Sequence, residues 1–332
     1  MKYIYGFCIF ILFGIGIYSD SLDPSDPNLS EEERENIIKN QEFRWDYRPQ
    51  ALRKIENKPI LESFSKWISP NTEEFFNLGP LSIHVLKGTF SEKVKIETLT
   101  LTKHSDFIFA GIPTEIFTDP PILLESSGMF HISITNEKGN HVRPNRDVSV
   151  KMQPISSPEG VKVYSMVENT WSEDPVQRND FNRCETCDFS PWLYASIRNE
   201  GWWNFDKPNL EFTCIKGKVQ GDFGKTYTVS AAGLNYYGLN FTTADRDGSF
   251  LLNVLKGKKV KLFAEEDKKY DSKEQKRGLV ALPSFVSQNR TAFSKTTPKL
   301  CQDIGLLKPK DRDVSLWKNR SEFLKTIDMP DI

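Results

Sequence analysis

Asn235–Val254 reads NYYGLNFTTADRDGSFLLNV, and its pattern decides the fold class. Tyr237, Leu239, Phe241 and Thr243 alternate with residues of the opposite face, and Phe250, Leu252 and Val254 do the same. A period of two puts every second side chain on one side of an extended strand. Between the two runs lies Asp245-Arg246-Asp247-Gly248, turn chemistry that reverses a chain. The expectation is an antiparallel ribbon in a small all-β module, with no active site at its turn. A calcium loop of the helix–loop–helix kind needs more carboxylates and a closing Glu. Arg246 and the missing Glu make Asp245 and Asp247 turn residues.

The same alternation recurs upstream. Leu81/Ile83/Val85, Val94/Ile96, Phe130/Ile132/Ile134, Val148/Val150/Met152 and Val161/Val163 each read as half-buried strands. Gly139-Asn140 and the stretch from Pro154 to Gly160 supply connections. These strands predict a first antiparallel β-sandwich over 77–205, including a Cys- and Trp-rich connecting segment. A second follows over 206–268, then an irregular C-terminal tail over 269–332 in which Leu316, Phe323, Leu324 and Ile327 hint at a short helix. Before the first sandwich, residues 22–76 read as a polar, partly helical arm. Ser30-Glu31-Glu32-Glu33 has capping-box chemistry, and Ile60, Leu61, Phe64, Trp67 and Ile68 fall at helical spacing ahead of Ser69-Pro70. The fold class is therefore mainly β, with two tandem antiparallel sandwiches.

The Thr243-x-Asp245-x-Asp247-Gly248-x-Phe250 pattern resembles the carboxypeptidase regulatory-like domain, a transthyretin-like β-sandwich. Cys214-Ile215-Lys216-Gly217-Lys218-Val219 fits its first strand, and Gly257 with Val260-x-Leu262-x-Ala264 fits its closing hairpin. The family's proline-containing second strand is here Lys225-Thr226-Tyr227-Thr228-Val229. The resemblance covers about Leu210 to Glu266 and implies an accessory module with no catalytic residues to carry over. Phe107–Thr114 and Leu124–Phe130 are similar to a β-rich segment of extracellular multidomain proteins. In that architecture a Trp-rich linker such as Gly201–Pro208 leads into the regulatory-like sandwich.

Met1-Lys2 precedes an apolar run from Tyr3 to Tyr18 and then Ser19-Asp20-Ser21, the order of a secretory signal peptide cut after Ser21. The alternative is an uncleaved anchor, for which the apolar run is short. No later run is long and apolar enough to span a membrane. Removing 1–21 deletes Cys8 and leaves Cys184, Cys187, Cys214 and Cys301, an even set that reads as two disulfides with three possible pairings. A net charge of −1, from 44 Lys and Arg against 45 Asp and Glu, excludes a global attraction to nucleic acid.

Chemistry-bearing patterns are few. Cys184-Glu185-Thr186-Cys187 lacks the strand before it and the helix after it that thiol exchange uses. A zinc site would need Cys214 and Cys301 as two further thiolates at irregular spacing, so structural disulfides are the reading. None of His84, His104, His131 and His141 is followed by Glu at metallopeptidase spacing, no G-x-S-x-G elbow occurs, and the glycine expected upstream of Gly224-Lys225-Thr226 in a phosphate loop is Val219. No metal, cofactor or catalytic residue is implied.

Trp192, Tyr194, Trp202, Trp203 and Phe205 form the densest aromatic cluster, the candidate contact region for a protein or carbohydrate. The competing account packs these rings between the two sandwiches. The resulting expectation is an exported, non-catalytic binding or scaffold protein of the periplasm or cell surface. Two alternatives are a secreted hydrolase with acids between Asp106 and Glu125, and a purely structural envelope component.

Overall fold

The computed structural model describes residues 61–116, 118, 121–167, 170–174, 192–221, 225–267 and 276–332. All of these lie in the unit Tyr47–Ile332. The fold is mainly β, and its strands are numbered along the chain. Sheet A runs β1 (Ser63–Ile68), β4 (Val94–Leu101), β6 (Ile122–Asn136), β11 (Gly201–Asn209), β8 (Lys162–Val167) and β9 (Thr170–Glu173), with β5 (Glu115–Ile116) against β6. Sheet B runs β10 (Leu193–Ile197), β7 (Val148–Met152), β3 (Leu81–Val85) and β2 (Glu74–Leu78). Both sheets are antiparallel throughout.

Every apolar alternation read from the first region packs between these two sheets. Leu81, Ile83 and Val85, Val94 and Ile96, Phe130, Ile132 and Ile134, Val148, Val150 and Met152, and Val161 and Val163 all belong to one buried core. A slip of one residue in any of these strands would turn its apolar set to the other face, so the pattern fixes register.

The second pair of sheets encloses a separate core. Sheet C holds β15 (Ser249–Leu255), β12 (Phe212–Val219) and β19 (Gln302–Leu307). Sheet D holds β14 (Leu239–Thr243), β13 (Tyr227–Gly233), β16 (Lys259–Glu266), β17 (Lys276–Ala281) and β20 (Lys310–Asp313), with β18 (Phe285–Val286) against β16. Phe250, Leu252 and Val254 from sheet C meet Val229, Ala231, Val260, Leu262 and Ala264 from sheet D.

A third core lies where the outer face of sheet A meets the outer face of sheet D. Met129, Tyr164 and Trp202 from sheet A pack with Leu239, Phe263 and Leu279 from sheet D. Two short helices complete it, α1 (His104–Ala110) and α2 (Arg320–Thr326). Phe107 and Phe109 of α1 and Phe323 and Leu324 of α2 are buried in this layer, with Trp317. The two sandwiches are thus cemented by an apolar layer rather than strung on a linker.

Six expectations are corrected. The opening stretch does not form a ribbon: β14 pairs β13 in sheet D, while β15 pairs β12 in sheet C. The chain does reverse at the expected turn, where Gly248 N donates to Asp245 O at 2.8 Å and Asp245 N to Ser249 O at 2.8 Å. The two strands then part into opposite sheets, so the turn is the crest of an arch. Gly248 is required there, with φ of 84° and a Cβ that would come within 2.1 Å of Val219 O. Gly257 and Val260–Ala264 likewise follow an arch from sheet C back to sheet D, not a closing hairpin. Alternation reports which face is buried but not which neighbour a strand takes.

The apolar positions near residue 64 form β1, not a helix, with Ile68 opposite Val94 and Phe64 opposite Thr98. Short apolar runs fit both periods, and pairing to a long neighbour wins. Conversely, His104–Ala110 lies within a region read as β-rich and is helical and wholly buried. Asp106 Oδ2 accepts from the backbone N–H of Thr102 and of Lys103 at 2.9 Å each, and Gly111 at φ 63° closes the helix. The Trp-rich linker is β11, a central strand. The C-terminal segment is not irregular. It supplies β17 to β20 and α2, with Phe323, Leu324 and Ile327 buried as a helical stripe would require. The signal segment, the Ser30–Glu33 motif, Ile60, Cys184 and Cys187 lie outside the described residues.

Candidate functional site

The five aromatic candidates do not form one patch. Trp202, Trp203 and Phe205 sit on β11, which is flanked by β6 and β8 and covered on both faces. Trp203 and Phe205 point into the core of the first sandwich, at 3% and 0% exposure. Trp202, at 1%, points the other way into the layer between the sandwiches. The Trp203 indole donates to Asn199 O at 3.1 Å, whereas the Trp202 indole nitrogen has no partner among the described residues. These three rings are core, and the expectation of a junction contact face is withdrawn for them.

Tyr194 behaves differently. It lies on β10 of sheet B, whose inner face carries Leu193, Ala195 and Ile197 and whose outer face faces solvent. Tyr194 is 49% exposed, and Trp192 just before the strand is half-buried. The register places Tyr194 beside Lys151, Lys151 beside Ser82, and Ser82 beside Asn77. The adjoining row is Ser196, Ser149, His84 and Phe75. Phe75 is 64% exposed. Its prominence is invisible in the sequence, because Glu74-Phe75-Phe76 gives no sign of which phenylalanine is buried.

Lys151 connects the two exposed rings. Its Nζ lies 5.2 Å from the Tyr194 ring centre and 5.9 Å from that of Phe75, within cation–π range of both. Among the described residues no carboxylate pairs with Lys151, whereas neighbouring charges are matched. His84 Nε2 meets Glu73 Oε1 at 2.8 Å, and Lys66 meets Glu74 at 2.8 Å. The His84 ring stands 6.0 Å from that of Phe75. Ser82 donates to Asn77 Oδ1 at 2.7 Å. The outer face of sheet B therefore carries two exposed rings, an ammonium between them unmatched among the described residues, and a border of hydroxyl and amide groups.

The described acids between Asp106 and Glu125 are each committed elsewhere, and Asp119 lies outside the described residues. Asp106 Oδ1 accepts from Arg320 at 2.7 Å, and Arg320 also holds Asp331. The Arg320 bond, helped by Ser105, holds the Asp331 carboxyl down to about 2. Glu115 is buried against Asn253 at 3.3 Å, and burial raises its pKa. Glu125 faces Lys258 at 3.5 Å. These pairs tie the first sandwich to the second and to the chain's last residues.

Beneath them runs a buried polar chain. Ser126 Oγ donates to Asn204 Oδ1 at 2.7 Å, and Asn204 Nδ2 donates to Asp206. Burial pushes the Asp206 carboxyl well above the usual carboxylate range. His104 is buried and stacked on Tyr237 with ring centres 4.0 Å apart. Desolvation lowers its pKa, and its Nδ1 is without a partner among the described residues.

Cys214 and Cys301 form a disulfide across 87 residues of sequence. It lies beside the parallel pairing of β12 with β19 and fastens that late strand to sheet C. At the arch crest, hydrogen bonds from Ser249 hold the Asp247 carboxyl down to about 2, and these contacts account for the aspartates as turn residues. Among the described residues no cluster of three or more His, Cys, Asp or Glu is placed to hold a metal.

No family model and no curated protein matches this chain. Among solved structures, the Bacillus anthracis TIE protein aligns at 8% identity and a TM-score of 0.19, over 86% of this chain and 63% of that one. The membrane pore complex of pneumolysin aligns at 8% identity and a TM-score of 0.15, over 86% and 75% of the two chains. Listeriolysin O aligns at 8% and 0.14, over 86% and 72%. Scores this low carry no argument about fold or role.

Proposed function

We propose that this chain is an exported, non-catalytic binding protein of the periplasm or cell surface, and that the outer face of sheet B is its contact surface. One observation carries the reading: two aromatic rings stand exposed on either side of an ammonium that no acid among the described residues neutralises. Exposed aromatics on a rigid sheet bring large contact area at small entropic cost. Export is supported by the N-terminal apolar run and by the Cys214–Cys301 bond, since disulfides persist in oxidising compartments. The second sandwich acts as an accessory module of the regulatory-like kind, bracing the first through the apolar layer. A hydrolase would need two acids converging on one space, and the described acids of that stretch, Asp106, Glu115 and Glu125, are each engaged by a different partner.

The test is retention of the purified chain on isolated envelope and extracellular fractions, with protein and polysaccharide fractions presented separately. The Phe75→Ala/Tyr194→Ala double variant should lose about 2 kcal/mol or more of binding, with unchanged far-ultraviolet dichroism. Equal retention of wild type and double variant removes sheet B as the contact surface.

A further inference from the structure

We propose that the ligand of this face is an acidic polysaccharide, a chain of sugar rings bearing carboxylates; this rests on the reading of sheet B as the contact surface. The Lys151 ammonium is half-buried and held between Tyr194 and Phe75 without a carboxylate among the described residues. The other ionisable side chain described on this face, His84, already lies 2.8 Å from Glu73. A single unmatched cation fixed in place calls for an anion from outside, and a carboxylate on an ammonium forms the stronger, charge-assisted kind of hydrogen bond.

The surroundings select the scaffold that carries this anion. Phe75 and Tyr194 offer flat apolar faces, which suit the C–H face of a pyranose ring. Ser82, Ser149 and Asn77 lie on the same surface in register and supply short hydroxyl and amide groups to sugar hydroxyls. The rings come from β2 and β10, the two edges of the sheet, and Lys151 from between them. A ligand touching all three crosses the strands over the middle of the sheet. An extended peptide would instead add to a sheet edge through its backbone. A cross-strand surface with rings at both ends and a charge in the middle is the shape of a polymer track.

The experiment uses the full mature chain and a homogeneous oligogalacturonate, with its methyl ester and a poly-glutamate peptide as controls, followed by calorimetry and by chemical-shift perturbation. The oligogalacturonate should bind and shift the Lys151, Tyr194 and Phe75 signals, while the methyl ester binds about tenfold more weakly for want of the ionic contact. Lys151→Gln should bring the two sugars to the same affinity, and Phe75→Ala should weaken both. Dichroism and thermal unfolding establish that each variant is folded. Poly-glutamate binding as tight as the sugar acid, unaffected by Phe75→Ala, would overturn the proposal in favour of charge alone. Absence of sugar binding, with envelope capture still lost in the Phe75→Ala/Tyr194→Ala variant, would overturn the ligand class and leave the contact surface standing. If the sugar fails to bind and capture is unchanged in that variant, both readings fall.

Discussion

Two strands of the first sandwich carry its conspicuous aromatics and put them to opposite uses. β11 holds Trp202, Trp203 and Phe205 in the middle of sheet A, where one face meets the sandwich core and the other meets the layer shared with sheet D. β10 holds Tyr194 at the edge of sheet B, where only one face is covered. The residue types are alike, and the difference is the number of layers outside the sheet. Aromatic density in a sequence therefore marks either a doubly covered strand or a contact surface, and only the stacking of sheets tells which.

The sharpest way to break this comparison is a pair of substitutions. Trp202→Ala should cost about 3–5 kcal/mol, the range for emptying a large buried site. Tyr194→Ala should alter stability by no more than about 0.5 kcal/mol, as exposed sites do. Chemical denaturation of both variants checks it, and equal losses would erase the distinction.

Next in size is the disulfide. Replacing Cys214 and Cys301 together by Ser should cost about 2–5 kcal/mol, because the bond restrains a long loop of the unfolded chain and fastens β19. The same denaturation curves give the answer. Loss of Arg320 comes third. Arg320→Ala frees Asp106, itself almost wholly buried, from its only described cation and should cost about 2 kcal/mol.

Smaller effects concern pH and separate the sealed layer from the open face. His104 has a lowered pKa through burial, so the unfolded chain binds its proton first as the solution is acidified. Its contribution is intact above the ordinary histidine range, about 6.5, and stability should fall as pH drops below that. His104→Phe should flatten this part of the stability profile. Asp206 works in the reverse direction, because burial raises the pKa of its folded carboxyl. Its contribution is intact below the ordinary carboxylate range and is lost as pH rises toward the folded value. Asp206→Asn should therefore stabilise the chain at neutral pH and make little difference in strong acid, where the wild-type carboxyl is protonated in both states.

Much of the first sandwich was legible because a half-buried antiparallel strand writes its burial directly as alternation. Every alternating set named from Leu81 to Val163 lies in the core between sheets A and B. What alternation could not show is partnership. The turn at Asp245–Gly248 reads identically whether its strands pair or part, and here they part. Nor does alternation help where both faces are covered. Trp202, Trp203, Asn204, Phe205 and Asp206 are all buried, so β11 resembles a linker rich in rings. Phe75 was overlooked for the opposite reason. An exposed phenylalanine next to a buried one leaves no mark in the sequence, and only the register against His84 brings it to the outer face with Lys151.

Hydroxyl-radical footprinting read by mass spectrometry tests the contrast between the two strands most directly. In the native chain Tyr194 and Phe75 should oxidise readily while Trp202, Trp203 and Phe205 stay protected, and saturating oligogalacturonate should then shield the first pair alone. Oxidation of Trp202 and Trp203 as fast as Tyr194 in the folded protein would contradict the account.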